Sequence, residues 1–143
     1  MMCVTQWETS ILWNGEALNA FKPACGLRQW DHFSPYLFVL CLEYLSNLIN
    51  DKVNSKDWVG IKAYPRGAAF SHLFFADDLI LFAKVTESSC HTVMEVLNDF
   101  CENSGQRVNF LKSKMYCSPN VPKREALKIN YICGMGVTDN LGI

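Results

Sequence analysis

Apolar residues recur at helical spacing along two long stretches of this chain. Over residues 86–103 an apolar side chain returns every three or four positions with acidic residues between, which predicts an amphipathic helix laid on a sheet. The stretch 34–50 is apolar on nearly every side, and such a helix belongs in the middle of a domain. We expect Ser34 to cap this helix and Pro35 to take its first helical position. A third, shorter helix is predicted over residues 122–129.

Shorter apolar runs between turn-forming residues predict strands. Asn14-Gly15 between apolar flanks fits the two-residue type I′ turn of a β-hairpin. Two apolar, aromatic-rich runs, each typical of a short buried strand, flank Asp77-Asp78 and predict a second hairpin with both aspartates at its tip. The other predictions are strands over residues 58–61 and 107–110, turns over 51–57 and 65–67, and a loop over 112–114. Helices packed on a small, mostly antiparallel sheet make the fold class α+β.

The composition fits one domain with a real core, or a piece of a larger domain. The chain has 143 residues, of which 50% are hydrophobic and 13% aromatic, so general disorder is disfavoured. The formal net charge of -1 carries no signature of nucleic-acid binding. From Gly105 to the end, however, six basic residues accompany two acidic ones, a net of +4 that suits a polyanionic substrate. A solvated basic helix and loop explains the same charges equally well.

The seven cysteines are scattered and odd in number, and none form a C-x-x-C pair. This pattern argues against a zinc site and against a disulfide framework, and it indicates an intracellular, reducing compartment. The first residues lack the basic and apolar segments of a signal peptide. The most apolar stretch, 33–49, is short for a membrane span and contains Glu43. We therefore expect a soluble protein without a membrane partner, in a nucleus or cytoplasm that the sequence does not distinguish.

The adjacent carboxylates of Asp77 and Asp78 are the main candidate for chemistry. An ionised carboxylate is costly to bury unless something pairs with it, so two of them at the tip of an apolar hairpin predict a bound cation. Enzymes that transfer phosphoryl or nucleotidyl groups commonly bind divalent metal ions through clustered aspartates. The simpler alternative is that the two aspartates only form the hairpin turn, which this residue type favours.

Several motifs stand around this pair in a fixed order. With them, the sequence resembles the reverse transcriptases of plant non-LTR (LINE-type) retrotransposons over nearly its whole length. Five ordered blocks are far more specific than a lone aspartate pair. The matching blocks are Asn14–Glu16, Gly26–Gln29, Ser34–Phe38, Ser71–Asp78 and Ser104–Ser113, and Leu141–Ile143 looks like the start of the next motif.

The resemblance implies a partial polymerase palm and a role for each matching residue. Asp77 and Asp78 would bind Mg²⁺, or Mn²⁺ in its place, with Asp77 as the primary bridging ligand. Lys112 would stabilise or protonate the leaving pyrophosphate, although a solvated surface lysine explains it as well. The implied partners are an RNA template, a DNA primer and deoxynucleoside triphosphates. The implied contact residues are Arg28, Gln29, Ser34 and Pro35 on the nucleotide and template side, and Phe75 and Ala76 near the primer end.

One block departs from the family pattern. Where the family has Gln-Gly-Asp-Pro-Leu-Ser-Pro, this chain has Trp30 in place of the glycine and His32 in place of the first proline. A glycine allows close approach of a ligand, whereas tryptophan adds a large ring at that point. Our hypothesis is that Trp30 blocks the nucleotide pocket. Unchanged activity on Trp30→Gly in a full-length context would contradict it.

The resemblance also implies that residues 1–143 are a reverse transcriptase palm domain truncated at both ends. The family's other essential carboxylate lies on an upstream strand that this chain does not contain, and the thumb would follow the last residue. We therefore expect the isolated chain to be inactive as an RNA-directed DNA polymerase. The alternatives are a non-catalytic remnant that binds nucleic acid or protein, another metal-dependent phosphotransfer enzyme such as a nucleotide cyclase, and a translated remnant with no function.

Overall fold

The computed structural model describes residues 8–23, 26–27 and 31–138. The chain divides into two compact units, Met1–Cys41 and Leu42–Ile143. The helices of the described ranges are α1 (Ser34–Asn54), α2 (Glu87–Ser104) and α3 (Lys123–Cys133). The strands are β1 (Leu12–Trp13), β2 (Glu16–Ala17), β3 (Ile61–Lys62), β4 (Ala69–Phe70), β5 (His72–Phe75), β6 (Asp78–Leu81), β7 (Lys114–Tyr116) and β8 (Gly136–Thr138).

The described strands pair two by two. The pairs β1–β2, β3–β4 and β5–β6 are antiparallel, and β7–β8 is parallel. Mostly antiparallel pairing combined with helices confirms the α+β class. The predicted first hairpin is confirmed as well. Trp13 pairs with Glu16 across the turn, and Asn14 (φ 48°) and Gly15 (φ 87°) both adopt the positive φ that a type I′ turn requires.

Helix α2 confirms the amphipathic prediction. Thr86, in extended conformation, caps the helix by accepting a hydrogen bond from the Ser89 N–H at 3.2 Å. Gly105 ends it with a left-handed φ of 71° and donates its N–H to the Cys101 carbonyl. One face of the helix is buried. That face comprises Ser89, Cys90, Thr92, Val93, Val96, Leu97 and Phe100.

Helix α1 begins near the predicted residue but runs further. The Leu37 N–H donates to the Phe33 carbonyl, so the helix begins at Ser34 and Pro35 is its second residue. The Asp31 carboxylate accepts the Phe33 N–H. The predicted turn over 51–57 is wrong for its first four residues. These four include no Gly or Pro to break the helix, which continues to Asn54.

Two predicted strands are misplaced. The strand predicted over 58–61 begins only at Ile61, because Trp58 is used to fill the core. The strand predicted over 107–110 is absent, since the Asn109 carbonyl accepts the N–H groups of Lys112 and Ser113 and forms a turn. The paired segment β7 follows this turn, so Lys114 lies in a strand and not in the predicted loop. The turn over 65–67 is confirmed by the bond from the Gly67 N–H to the Tyr64 carbonyl.

Helices α2 and α3 share a small core. The predicted third helix is confirmed, and it extends to Cys133 before Gly134 ends it with a φ of 66°. Within the described residues, Cys90 and Cys133 are paired as a disulfide, which the argument against a disulfide framework did not anticipate. The sequence did not reveal it because the two residues are 43 positions apart and meet only when the helices pack. The core comprises Cys90, Ile129 and Cys133, with Val85, Met94, Met115, Ile132 and Met135 packed against it.

Candidate catalytic hairpin

Strands β5 and β6 form the predicted hairpin around the aspartates. Phe75 pairs with Asp78, so Ala76 and Asp77 make a two-residue turn. Ala76 has a φ of 53°, whereas Asp77 is not among the residues with positive φ. Positive φ at the first turn position alone is the pattern of a type II′ turn, whose twist matches that of paired strands. The turn therefore presents Asp77 at the tip. The prediction of both aspartates at the tip is wrong for Asp78, which pairs with Phe75 and is the first residue of β6.

The two faces of this hairpin differ in exposure. Residues that oppose each other across antiparallel strands share a face. One face carries the pairs His72–Leu81 and Phe74–Leu79, which are all half-buried. The other face carries Leu73–Ile80 and Phe75–Asp78, and there the Phe75 ring is 75% exposed. Asp78 therefore lies on an open face beside an exposed aromatic ring.

The expectation of two buried strands is wrong. None of the residues in β5 or β6 is fully buried, because within the described ranges these strands pair only with each other. Asp77 and Asp78 are both exposed to solvent. Burial therefore does not force a cation onto the pair. The carboxylates are instead open to an incoming cation.

His72 fixes the hairpin to the second half of α1. Its Nε2 forms a hydrogen bond with the Ser46 Oγ at 3.0 Å, and its Nδ1 forms one with the Ser71 Oγ at 2.9 Å. Its ring also packs edge-on against Phe74 with 5.1 Å between centroids. Burial lowers the pKa of His72 below its ordinary value of 6.5. The neutral imidazole therefore holds β5 against the helix.

This lowered pKa predicts a pH-dependent stability. The contribution of His72 is complete above pH 6.5 and is lost as the pH falls through the lowered pKa of the folded state. We expect the free energy of unfolding to fall between about pH 7 and pH 5, and His72→Gln to flatten that part of the profile. Urea denaturation at several pH values measures this pH dependence of the free energy of unfolding. His91→Gln, at an exposed position on α2, is the matched control. A slope that survives in His72→Gln would contradict the assignment.

The hairpin gathers four of the predicted site residues, namely Phe75, Ala76, Asp77 and Asp78. Lys112 is exposed in the turn that Asn109 organises, where the Asn109 Oδ1 accepts its N–H at 3.2 Å. No salt bridge within the described ranges joins Lys112 to either aspartate. Ser34 and Pro35 lie in the first turn of α1. Arg28 and Gln29, together with Trp30, lie outside the described residues.

No group of three or more His, Cys, Asp or Glu in the described part of the chain is arranged to hold a metal ion. The aspartate pair supplies two carboxylates of the hard oxygen type that Mg²⁺ prefers.

The sequence analysis did not single out Tyr131, an exposed residue on α3. The sequence could have indicated it, because Tyr131 follows Arg124 by seven positions and Lys128 by three. This spacing places an aromatic ring on the same helix face as two basic residues.

Residues 2–136 match the family described as reverse transcriptase (RNA-dependent DNA polymerase). The chain belongs to this family, whose members use a nucleic-acid template and nucleotide substrates and depend on divalent metal. The resemblance to reverse transcriptases is thereby confirmed, and the relatives described next include the polyprotein of a retrotransposable element.

Two curated relatives match parts of the chain. An uncharacterized mitochondrial protein of Arabidopsis thaliana is 42% identical over 65 residues, which are 46% of this chain and 53% of the relative. The retrovirus-related Pol polyprotein from the type-2 retrotransposable element R2DM of Drosophila melanogaster is 34% identical over 101 residues. That match covers 71% of this chain but 9% of the polyprotein. The chain thus spans about half of one relative and a small part of the other.

No solved structure matches the chain. Among the described helices, none combines the length and apolar character needed to cross a bilayer.

Proposed function

We propose that this chain carries part of the metal-binding centre of an RNA-directed DNA polymerase, formed by Asp77 and Asp78. The observation that carries the proposal is the tight β5–β6 turn, which presents Asp77 at the tip and Asp78 at the start of the returning strand, both open to solvent. The family supplies the reaction class, in which a template directs the addition of nucleotides to a primer. The proposed partners are an RNA template, a DNA primer and deoxynucleoside triphosphates.

The aspartate pair fits Mg²⁺, with Mn²⁺ as a substitute. Mg²⁺ is commonly bound through one or two carboxylates together with substrate phosphates and water, so two exposed aspartates are a sufficient protein contribution to one ion. When bound, such ions stabilise charge on the reacting phosphate and activate the primer hydroxyl. Asp77 and Asp78 would hold them, and the pairing of Phe75 with Asp78 fixes where the second carboxylate stands.

Two further side chains have proposed roles. The Phe75 ring shares the open face with Asp78, so it offers an apolar surface against which a primer-terminal nucleotide can pack. Lys112 is exposed and carries a flexible ammonium group that suits a leaving pyrophosphate. Arg28, Gln29, Ser34 and Pro35 are proposed as nucleotide and template contacts on the strength of the family motifs alone.

We expect the isolated 143-residue chain to be inactive as a polymerase. A two-metal centre clamps its ions between ligands on more than one side. Within the described residues the aspartate pair has no third acidic, histidine or cysteine partner arranged for a metal. Metal binding at the hairpin is therefore the property of this chain that tests the proposal without requiring turnover.

Binding of Mn²⁺ to the isolated chain tests the proposed site. Paramagnetic Mn²⁺ broadens the NMR signals of nearby nuclei, so we expect substoichiometric Mn²⁺ to broaden the amide signals of residues 75–79 first. Competition with Mg²⁺ should restore them. The double variant Asp77→Asn/Asp78→Asn should abolish this selective broadening, whereas Asp51→Asn, an exposed aspartate on α1, should not. Equal broadening at acidic side chains all over the surface would count against a metal site at the hairpin.

A further inference from the structure

Helix α3 presents a basic and aromatic face to solvent. The helix buries Ile129 and Cys133 in the core shared with α2. The opposite side carries exposed residues at positions i, i+3, i+4 and i+7, which stand on one helix face. Tyr131 is 92% exposed on this face. The four residues, which we name the Tyr131 face, are Arg124, Leu127, Lys128 and Tyr131.

Of the two cations on this face, one has an acidic partner, and that pair is exposed. Arg124 forms no salt bridge within the described ranges. Lys128 meets Glu87 at 3.4 Å, but both side chains are exposed, and such pairs contribute little and exchange readily with solvent. Glu125 is the sole acidic residue among described positions 105–138 and borders the buried side of the helix. The face therefore offers positive charge to a polyanion.

An aromatic ring beside two cations suits a particular ligand. Tyrosine buries a large apolar surface when it finds a partner, so an almost fully exposed ring is available for stacking. Single-stranded nucleic acid is bound by cations that contact phosphates and by aromatic rings that stack on unpaired bases. In a duplex the bases are already stacked and paired, so the ring has no base to meet.

We propose that the Tyr131 face binds single-stranded nucleic acid. Arg124 and Lys128 contact backbone phosphates, and Tyr131 stacks on an unpaired base with Leu127 beside it. The inference rests on the proposed function for the class of ligand, but it involves none of the residues of the aspartate hairpin.

Fluorescence anisotropy of the full 143-residue chain with labelled oligonucleotides tests the proposal. Tyr131→Ala should weaken binding of a single strand about fivefold or more, with an unchanged salt dependence. Arg124→Ala should lower the slope of log affinity against log salt concentration by about 0.7. Tyr131→Trp should preserve the affinity. Parallel titrations with RNA, DNA and a duplex of the same sequence identify which strand is preferred.

The matched controls are two exposed residues of β3 and the loop after it. Lys62→Ala removes a lysine and Tyr64→Ala a tyrosine away from α3, and neither should reproduce the effects of the α3 variants. Mn²⁺ broadening at residues 75–79 is measured separately from single-strand binding, so failure of the metal site and failure of the Tyr131 face are distinguishable. The proposal is overturned if the chain binds no single strand, if it prefers the duplex, or if the control variants weaken binding equally.

Discussion

Trp58→Ala is expected to lower the free energy of unfolding by about 3–5 kcal/mol, as measured by urea denaturation. Trp58 is 2% exposed, so its removal leaves a cavity of aromatic size in the core. Its indole Nε1 also donates a hydrogen bond to the Phe82 carbonyl at 2.9 Å. Phe82 directly follows β6, and the Lys84 N–H bonds to the Val59 carbonyl next to the tryptophan. The lost packing and hydrogen bond therefore destabilise the end of the aspartate hairpin, where the chain leaves β6.

Two further variants separate packing from hydrogen bonding at this position. Trp58→Phe retains most of the ring but leaves the Phe82 carbonyl without its partner, which should cost about 1–3 kcal/mol. Trp13→Ala is the matched control, because Trp13 is 67% exposed and its truncation should change stability by about 0.5 kcal/mol or less. A similar loss in Trp13→Ala and Trp58→Ala would contradict the assignment of Trp58 to the core.

Local sequence chemistry predicted the turns and helix ends that depend on a few neighbouring residues. Asn14 and Gly15 adopt positive φ because their flanking strands require it, and Asn-Gly accepts it at little cost. Ala76 and Asp77 turn the aspartate hairpin where the apolar runs on either side predicted it. Such features are encoded within a few positions of the chain, so no tertiary context is needed to recognise them.

Features that depend on distant residues were not predictable. The burial of Trp58 is set by the approach of Phe82, 24 positions away, and it removes the tryptophan from the strand that its own neighbours favoured. The pairing of Cys90 with Cys133 depends on the packing of α2 on α3. The exposure of β5 and β6 was missed for a related reason. An apolar run shows that a strand is compatible with burial. It does not show how much of the strand's surface other elements cover.

The candidate site divides in the same way. Asp77 and Asp78 were recognisable because the carboxylate pair and its apolar flanks form one continuous motif. The hydrogen bond between His72 and Ser46 joins residues 26 positions apart, so only the fold reveals it. Tyr131 was overlooked because an aromatic residue at helical spacing is equally compatible with a core position, and its exposure decides between the two.

The most direct test of the polymerase assignment is to transplant the hairpin. Residues 71–82 replace the corresponding hairpin of the Pol polyprotein of the R2DM element, and RNA-templated DNA synthesis is measured beside the unmodified polyprotein. We expect the chimera to retain synthesis, and the isolated chain to have none. Asp77→Asn keeps the shape of the side chain but removes its charge, so it should lower synthesis by the chimera about a hundredfold or more.

The comparison between the two chimeras isolates the carboxylate, since they differ by one side-chain atom. Synthesis by the chimera that depends on Mg²⁺ and is lost with Asp77→Asn is the result that the assignment predicts. Equal synthesis by both chimeras would contradict the claim that Asp77 holds the catalytic metal.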